Sequence, residues 1–141
     1  MCREIYCRAV NGPMNDSVII HLCYSDFEES FGNHQKCIEI FKKLLTFKDA
    51  DLSVIYINYM RHLLRTLGIE EVRRVFKNAR IDNRVDYRVY VWAAQQEYRI
   101  DHNAVVSLKI LDLAVKRFPG DLNLLQDFFK HLKCIHGKGF I

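Results

Sequence analysis

The clearest pattern in the chain is residues 55–98, IYINYMRHLLRTLGIEEVRRVFKNARIDNRVDYRVYVWAAQQEY. They contain, in order, an aromatic-rich segment, Gly68, a shorter segment ending FKNAR, and a second aromatic-rich segment. Apolar residues that recur every three or four positions predict amphipathic helices, and glycine is typical of the turn that ends a helix. This order predicts a helical repeat array, in which neighbouring repeats bury one another's apolar faces.

Similar residues recur along the chain at an interval of 34 to 36 residues. Two sets at intervals of 35 are Phe41, Phe76 and Leu111, and Leu44, Ala79 and Ala114. A period of this length is typical of repeats made from one helix pair. We therefore predict an all-α superhelix of antiparallel helix pairs, the first of each pair being the A helix and the second the B helix.

The repeat boundaries follow from the turn residues, and the whole of residues 1–141 is predicted to form one array. Residues 1–12 are the end of a B helix, and the repeats that follow are 17–48, 51–82, 86–119 and a partial repeat at 121–141. Because both ends fall within a repeat, apolar faces are left uncovered. We expect the chain to self-associate or to be part of a longer protein.

The predicted core consists of aromatic and aliphatic residues on the inner helix faces. The residues assigned to it are Tyr24, Phe27, Phe41, Tyr56, Tyr59, Val72, Phe76, Val89, Tyr90 and Leu111. The apolar stripe predicted for the last B helix is Leu108, Leu111, Val115 and Phe118. Trp92 is out of phase with the apolar face of its helix, so it is the aromatic residue predicted to be exposed.

Positive charge is concentrated in residues 61–88, which carry eight basic and four acidic side chains in a chain of net charge +4. The candidate contacts for RNA or an acidic partner are Arg73, Arg74, Lys77, Arg80, Arg84 and Arg88. An alternative of at least equal weight is a solvated face, with Glu70 and Glu71 paired to Arg73 and Arg74 at helical spacing. Likewise, Tyr90, Trp92 and Tyr98 are candidates for stacking on RNA bases, although their helical spacing favours a core role.

The sequence contains no nucleophile elbow, P-loop, dinucleotide-binding fingerprint or HExxH motif, which favours a binding protein over an enzyme. No cofactor is predicted. His131, Cys134 and His136 lie within six residues and are candidate metal ligands, but a structural zinc site needs a fourth ligand. Five cysteines without a CxxC pair favour free thiols in a reducing compartment. No segment approaches the ~18 apolar residues of a membrane span.

The two-helix unit, with an aromatic A helix and a B helix ending in FKNAR, resembles the half-a-TPR (HAT) repeat. Four segments carry a closer resemblance: IYCRAV (5–10), YSDFEES (24–30), VIYINYMRHLLRTLGIEEVRRVFKNAR (54–80) and VYVWAAQQEY (89–98). In order and spacing they look like the HAT-repeat subunits of cleavage stimulation factor, the suppressor of forked family.

The resemblance implies a scaffold for nuclear pre-mRNA 3′-end cleavage and polyadenylation. The implied partners are other cleavage stimulation factor subunits, polyadenylation specificity factor and a second copy of the same protein. The alternatives are an RNA-binding HAT module, or a HAT scaffold of splicing or ribosome assembly.

Three positions depart from the HAT pattern. His21 stands near the expected aromatic residue of the first repeat, and Leu63 or Leu64 replaces the carboxylate of the second. The third repeat keeps Glu97 but has His102 and Asn103 in place of a clear turn glycine. The packing of that turn is therefore the least well defined by the sequence.

Overall fold

The computed structural model describes residues 2–12, 17–47, 50–102 and 104–139, with the backbone alone described for Val10 and residues 136–139. Within these ranges the chain forms eight α-helices and no strand, so the all-α prediction is confirmed. The helices are α1 Cys2–Asn11, α2 Val18–Ser30, α3 His34–Leu44, α4 Leu52–Thr66, α5 Ile69–Ile81, α6 Tyr87–Asp101, α7 Ala104–Arg117 and α8 Leu122–Gly139. In the described ranges, no helix combines the length and hydropathy needed to cross a membrane.

Each complete predicted repeat contains two of these helices. The pairs are α2 with α3, α4 with α5, and α6 with α7, while α1 and α8 fall in the partial repeats. The chain divides into two compact units, residues 1–75 and 76–141, with the boundary inside α5. A single superhelical array over residues 1–141 stays a prediction.

In the first unit, α2 packs against α1 and α3, and α3 packs against α4. Aromatic rings mark these contacts. Tyr6 of α1 stacks on Tyr24 of α2 with ring centroids 5.6 Å apart, and Phe41 of α3 stacks on Tyr59 of α4 at 5.2 Å. Aromatic pairs in contact add stabilisation to that of the area they bury, so these rings help to hold successive helices together.

A buried carboxylate lies between α1 and the turn that follows α2. Glu28 is only 2% exposed, and it accepts hydrogen bonds from Arg3 Nε at 2.6 Å and Asn33 Nδ2 at 2.7 Å. Burial opposes ionisation of Glu28, but the two hydrogen bonds and the Arg3 charge outweigh it, so the pKa of Glu28 is lowered. The carboxylate is therefore satisfied within the first unit.

A second carboxylate connects the A helices of neighbouring repeats. Glu29 of α2 accepts hydrogen bonds from Arg65 of α4, from Nε at 3.1 Å and from Nη2 at 2.9 Å, and also contacts Nδ1 of the buried His62. Partial burial would raise the pKa of Glu29, but the bonds from Arg65 and His62 outweigh it, and that pKa is lowered. These polar contacts join α4 to α2.

In the second unit, α6, α7 and α8 all contact one another. Phe76 at the C-terminal part of α5 meets the ring of Tyr90 edge-on, with centroids 5.4 Å apart. Tyr90 in turn contacts Phe118 at 5.9 Å. Tyr90 is 3% exposed and lies at the centre of this aromatic group.

Buried positions of the three B helices recur at an interval of 35 residues. In α3 they are Cys37, Ile40, Phe41 and Leu44; in α5, Val72, Val75, Phe76 and Ala79; and in α7, Ser107, Ile110, Leu111 and Ala114. The stripe predicted for α7 was therefore wrong in phase, because of its members only Leu111 is buried, and Leu108, Val115 and Phe118 are half-buried. Ser107 takes the inner position because its hydroxyl donates to the Ala94 carbonyl oxygen at 2.9 Å.

Nine of the ten predicted core residues are buried, and Phe27 is the exception. Its ring is half-buried because it lies on the edge of α2, against Tyr6 at 5.3 Å and the exposed Phe31 at 4.9 Å. The Arg3 guanidinium lies 5.9 Å from the ring centre. Phe27 is thus a peripheral contact of α2 and should be removed from the predicted core.

The turns after the A helices share a left-handed residue. Gly32 and Gly68 have φ of 77° and 101°, and His102 has φ of 51°. Glycine adopts this conformation without strain, whereas the backbone of a residue with a side chain is strained in it. His102 therefore occupies the conformation expected of a turn glycine, and the neighbouring Asn103 lies outside the described residues.

A buried histidine of α8, His131, contacts α6 and α7 within the second unit. The Ser107 hydroxyl donates its one proton to the Ala94 carbonyl oxygen. The hydrogen bond between Ser107 Oγ and His131 is therefore donated by His131 Nε2. The His131 ring also meets Tyr98 edge-on, with centroids 5.8 Å apart. Burial lowers the pKa of His131 from its usual 6.5, so the folded chain holds this imidazole neutral at pH 7.

We expect the stability of the second unit to fall as the pH drops through the range ~7 to ~5. The unfolded chain protonates His131 at about pH 6.5 and the folded chain only at lower pH, so this contribution is present above ~6.5 and is lost in acid. Urea midpoints of the wild type and His131→Gln, measured at both pH values, test this. The variant should lose less stability in acid than the wild type does. Equal acid losses in the wild type and His131→Gln would contradict the assignment.

Candidate interaction surface

The basic residues predicted as contacts lie on α5 and on the segment that leads into α6. Arg73 bonds Glu70 at 2.7 Å, and Arg74 contacts Glu71. Beyond the end of α5, Arg84 bonds Asp82 at 2.8 Å and Arg88 bonds Asp86 at 2.7 Å. The pairing of Arg73 and Arg74 with glutamates is the alternative that the sequence left open.

The two aspartates also organise the backbone. Asp82 Oδ1 accepts the amide of Arg84 at 2.9 Å, and Asp86 Oδ1 accepts the amide of Arg88 at 2.9 Å at the start of α6. A side chain that accepts amide protons in this way stabilises a turn or the first turn of a helix. Four of the six candidate residues therefore carry a local counterion, and contact of this segment with RNA stays a prediction.

Lys77 and Arg80 differ from the other four in their surroundings. Within the described residues, neither forms an ion pair; the Arg80 guanidinium instead lies 5.5 Å from the ring centre of Phe76. Lys77 is exposed and Arg80 is half-buried. Both side chains line a groove in the second unit.

We call this feature the basic groove. It has a volume of about 660 Å³, and the described residues that line it are Lys77, Arg80, Ile81, Tyr90, Leu113, Lys116 and Arg117. Four of these seven are cations and none is a carboxylate. Two aliphatic residues in the groove are open to solvent, since Ile81 is 79% exposed and Leu113 is 40% exposed.

Arg117 lines the basic groove and is held there by three hydrogen bonds. Its guanidinium donates to the carbonyl oxygens of Arg80 and Asp82, at 2.5 Å for Asp82, and to the Tyr90 hydroxyl at 2.8 Å. The last carbonyls of a helix lack partners within it, so Arg117 of α7 closes the C-terminal end of α5. The cation also lies 5.8 Å from the Tyr90 ring centre. Arg117 is therefore fixed by its own chain.

Sequence reasoning missed Ile81, Leu113, Lys116 and Arg117 as members of this surface. Lys116 and Arg117 lie outside the basic segment of residues 61–88, so local charge density does not group them with it. A usable signal was present in the repeat itself, because Ile81 and Lys116 are 35 residues apart and occupy equivalent positions on successive B helices. Mapping residues one repeat apart onto neighbouring B helices would have placed Lys116 beside the end of the basic segment.

The aromatic residues considered for RNA stacking are placed differently from one another. Tyr90 is buried, with its hydroxyl bonded to Arg117. Trp92 and Tyr98 are half-buried, so Trp92 is less exposed than its phase suggested. Tyr98 meets His131 and His102 edge-on. None of these three rings offers a fully open face for a base.

The histidines and cysteines are not arranged as a metal site in the described part of the chain, which contains no group of three metal-ligating side chains. His131 is buried against Ser107 and Cys134 is exposed, while the side chain of His136 lies outside those described. The Cys37 thiol is buried and donates to the Ser25 carbonyl oxygen at 3.2 Å. Burial raises the pKa of Cys37 to about 11, so this thiol stays protonated at neutral pH.

Comparison with known proteins identifies the family. A family model described as "Suppressor of forked protein" matches residues 1–139. The chain belongs to the suppressor of forked family. Its membership confirms the resemblance read from the four sequence segments, and the all-α repeat architecture agrees with it.

Relatives in the suppressor of forked family come from animals, fungi and plants. The chain is 34% identical over 134 residues to "Protein suppressor of forked" of Drosophila melanogaster, covering 93% of this chain and 18% of that protein. It is 32% identical over 85 residues to "mRNA 3'-end-processing protein RNA14" of Cryptococcus neoformans, covering 60% and 8%. It is 27% identical over 115 residues to "Cleavage stimulation factor subunit 77" of Arabidopsis thaliana, covering 82% and 15%. The chain thus spans less than a fifth of each relative's length.

Proposed function

We propose that this chain is part of a protein-interaction scaffold for pre-mRNA 3′-end cleavage and polyadenylation. The observation that carries the proposal is the family match over residues 1–139. Two of the matched relatives bear names of 3′-end-processing or cleavage-stimulation proteins. A scaffold role fits a fold whose helices bury aromatic faces against one another and leave their outer faces for partners.

The proposed partners are other cleavage stimulation factor subunits, polyadenylation specificity factor and a second copy of the family protein. Exposed apolar residues of α8 support packing against further protein, since Leu122 is 72% exposed, Leu125 37% and Phe129 63%. Apolar residues clustered on one helix are typical of interaction sites. The proposed location is the nucleus, where 3′-end processing takes place.

We further propose that the chain is not an enzyme. The protonated, buried Cys37 and the neutral His131, which is committed to Ser107, are both occupied in packing. These two side chains thus serve contacts between helices. Among the described residues, a surface groove in the second unit offers a site for binding.

Direct RNA binding is the second candidate, and it is favoured by Lys77 and Arg80, which form no ion pair among the described residues. Arg73, Arg74, Arg84 and Arg88 are held by neighbouring carboxylates, although exposed pairs of this kind contribute little and can be exchanged. If phosphates are contacted, neutralising the basic residues should weaken binding to RNA and flatten its salt dependence.

Affinity purification from nuclear extract tests the scaffold proposal. The tagged chain should enrich cleavage stimulation factor and polyadenylation specificity factor subunits over a tag-only control. Enrichment of splicing or ribosome-assembly proteins instead would assign the chain to one of those complexes and contradict the proposal. Light scattering on the purified chain then reports whether it forms a dimer, as proposed from the family.

A further inference from the structure

The basic groove has the properties of a binding site for a protein segment. Its residues come from α5, α6 and α7, and all lie in the second unit. Its volume of about 660 Å³ is within the range of ~300–1,000 Å³ typical of ligand sites. We infer that the basic groove binds an acidic peptide segment that carries an apolar side chain.

Charge is the first argument for this occupant. Lys77 and Arg80 approach the groove from α5, and Lys116 and Arg117 from α7. Cations lining one concave surface attract and orient an anionic partner. Lys116 bonds Asp112 at 3.1 Å, but both side chains are mostly exposed, at 72% and 61%. An exposed pair of this kind is weak and easily exchanged, so Lys116 is available to a carboxylate of the partner.

The cations have different roles in the groove. Arg117 is held by the Arg80 and Asp82 carbonyl oxygens and by the Tyr90 hydroxyl. It therefore contributes a fixed positive charge to the groove lining. Lys77 on α5 and Lys116 on α7 are exposed, so their long side chains can adjust to the carboxylates of a bound segment.

The apolar residues are the second argument, and they favour a peptide over RNA. Ile81 and Leu113 are aliphatic and exposed, and they provide a surface that an apolar side chain would cover. Nucleobases instead bind by stacking on aromatic rings. The one ring in the groove, Tyr90, is enclosed by Phe76, Phe118 and the Arg117 guanidinium. The groove thus offers a base no open aromatic face.

Fluorescence anisotropy with the purified chain tests the inference. The probe is a labelled synthetic peptide with leucines spaced among glutamates, and the comparison probes are the same peptide with lysine for glutamate and a labelled oligouridylate. Lys77→Glu with Lys116→Glu should weaken binding of the acidic peptide about tenfold, because attraction becomes repulsion on both α5 and α7. Lys42→Glu with Lys109→Glu, an equal charge change at exposed positions outside the groove, should change it less than about twofold.

A charge-neutral variant separates the groove from non-specific attraction. Ile81→Ser removes apolar surface at an exposed site and should weaken binding of the acidic peptide about fivefold. Equal affinity of the groove and control charge variants, or unchanged affinity of Ile81→Ser, would overturn the inference. So would tighter binding of the oligouridylate, which would make RNA the occupant. Circular dichroism of each variant verifies that it is folded.

The inference rests on the proposed function only in taking the occupant to be a protein. Binding is measured with synthetic probes and purified chain, whereas the scaffold proposal is tested by which subunits co-purify from extract. Loss of peptide binding with intact subunit enrichment would reject the groove alone. Peptide binding without that enrichment would reject the 3′-end-processing assignment alone.

Discussion

Phe76→Ala is expected to lower the free energy of unfolding by about 3–5 kcal/mol. The Phe76 side chain is 7% exposed and its ring contacts Tyr90 edge-on at 5.4 Å. Truncation removes the transfer energy of a large apolar side chain and leaves a cavity, because close-packed surroundings relax only in part. The loss should appear as a lower midpoint in urea unfolding and as faster amide exchange in α6, the helix that carries Tyr90.

A matched phenylalanine provides the control for this prediction. Phe31 is 64% exposed, so Phe31→Ala should cost less than ~1 kcal/mol. If Phe76→Ala and Phe31→Ala shifted the urea midpoint by the same amount, the placement of Phe76 in the core would be wrong.

Arg117→Ala is expected to destabilise the second unit by about 2–4 kcal/mol. The change leaves the Arg80 and Asp82 carbonyl oxygens and the Tyr90 hydroxyl without their shared donor. Each buried polar group that loses its partner costs about 1–3 kcal/mol, and solvent will satisfy part of this half-buried set. Urea unfolding monitored by circular dichroism measures the loss.

Two further variants identify the cause. Arg117→Lys retains the charge but presents a compact ammonium group instead of a planar fork, so it should recover only part of the stability. Lys116→Ala, at the next position, removes only the exposed pair with Asp112 and should cost less than ~1 kcal/mol. Full recovery by lysine would mean that the charge of Arg117 matters rather than its three hydrogen bonds.

The 35-residue period predicted much of the fold correctly because close packing acts on every repeat in the same way. Positions 41, 76 and 111 are buried in all three B helices, as the alignment of Phe41, Phe76 and Leu111 indicated. Apolarity alone failed on α7. Ser107 is buried because it has a carbonyl partner, and that partner lies on another helix, thirteen residues earlier in the chain. A hydrogen bond to another helix cannot be predicted from the local hydrophobic pattern.

The interaction surface was predictable only in part. Local charge density predicts Lys77 and Arg80 as partner contacts. It predicts Arg73 and Arg74 equally, although these two pair with glutamates of their own helix turn. Distinguishing these two kinds of cation requires the positions of carboxylates in space. The groove also depends on α7, whose cations are separated from α5 by the whole of α6. His102, in contrast, was identified from sequence alone as an unusual turn residue, because the other two turns have glycine at that point.

The polar residues of the interior have a consequence for designing consensus repeats. Glu28 and Glu97 are buried near the ends of α2 and α6, while Leu63 is buried near the end of α4 and His131 within α8. A sequence averaged over the repeats would keep the aromatic and aliphatic positions and erase the bonds that Glu28 and His131 make to Arg3 and Ser107. The repeats are therefore not interchangeable modules. Shuffling their order should yield chains that retain helix content but lose the matched polar contacts that define which helices are neighbours.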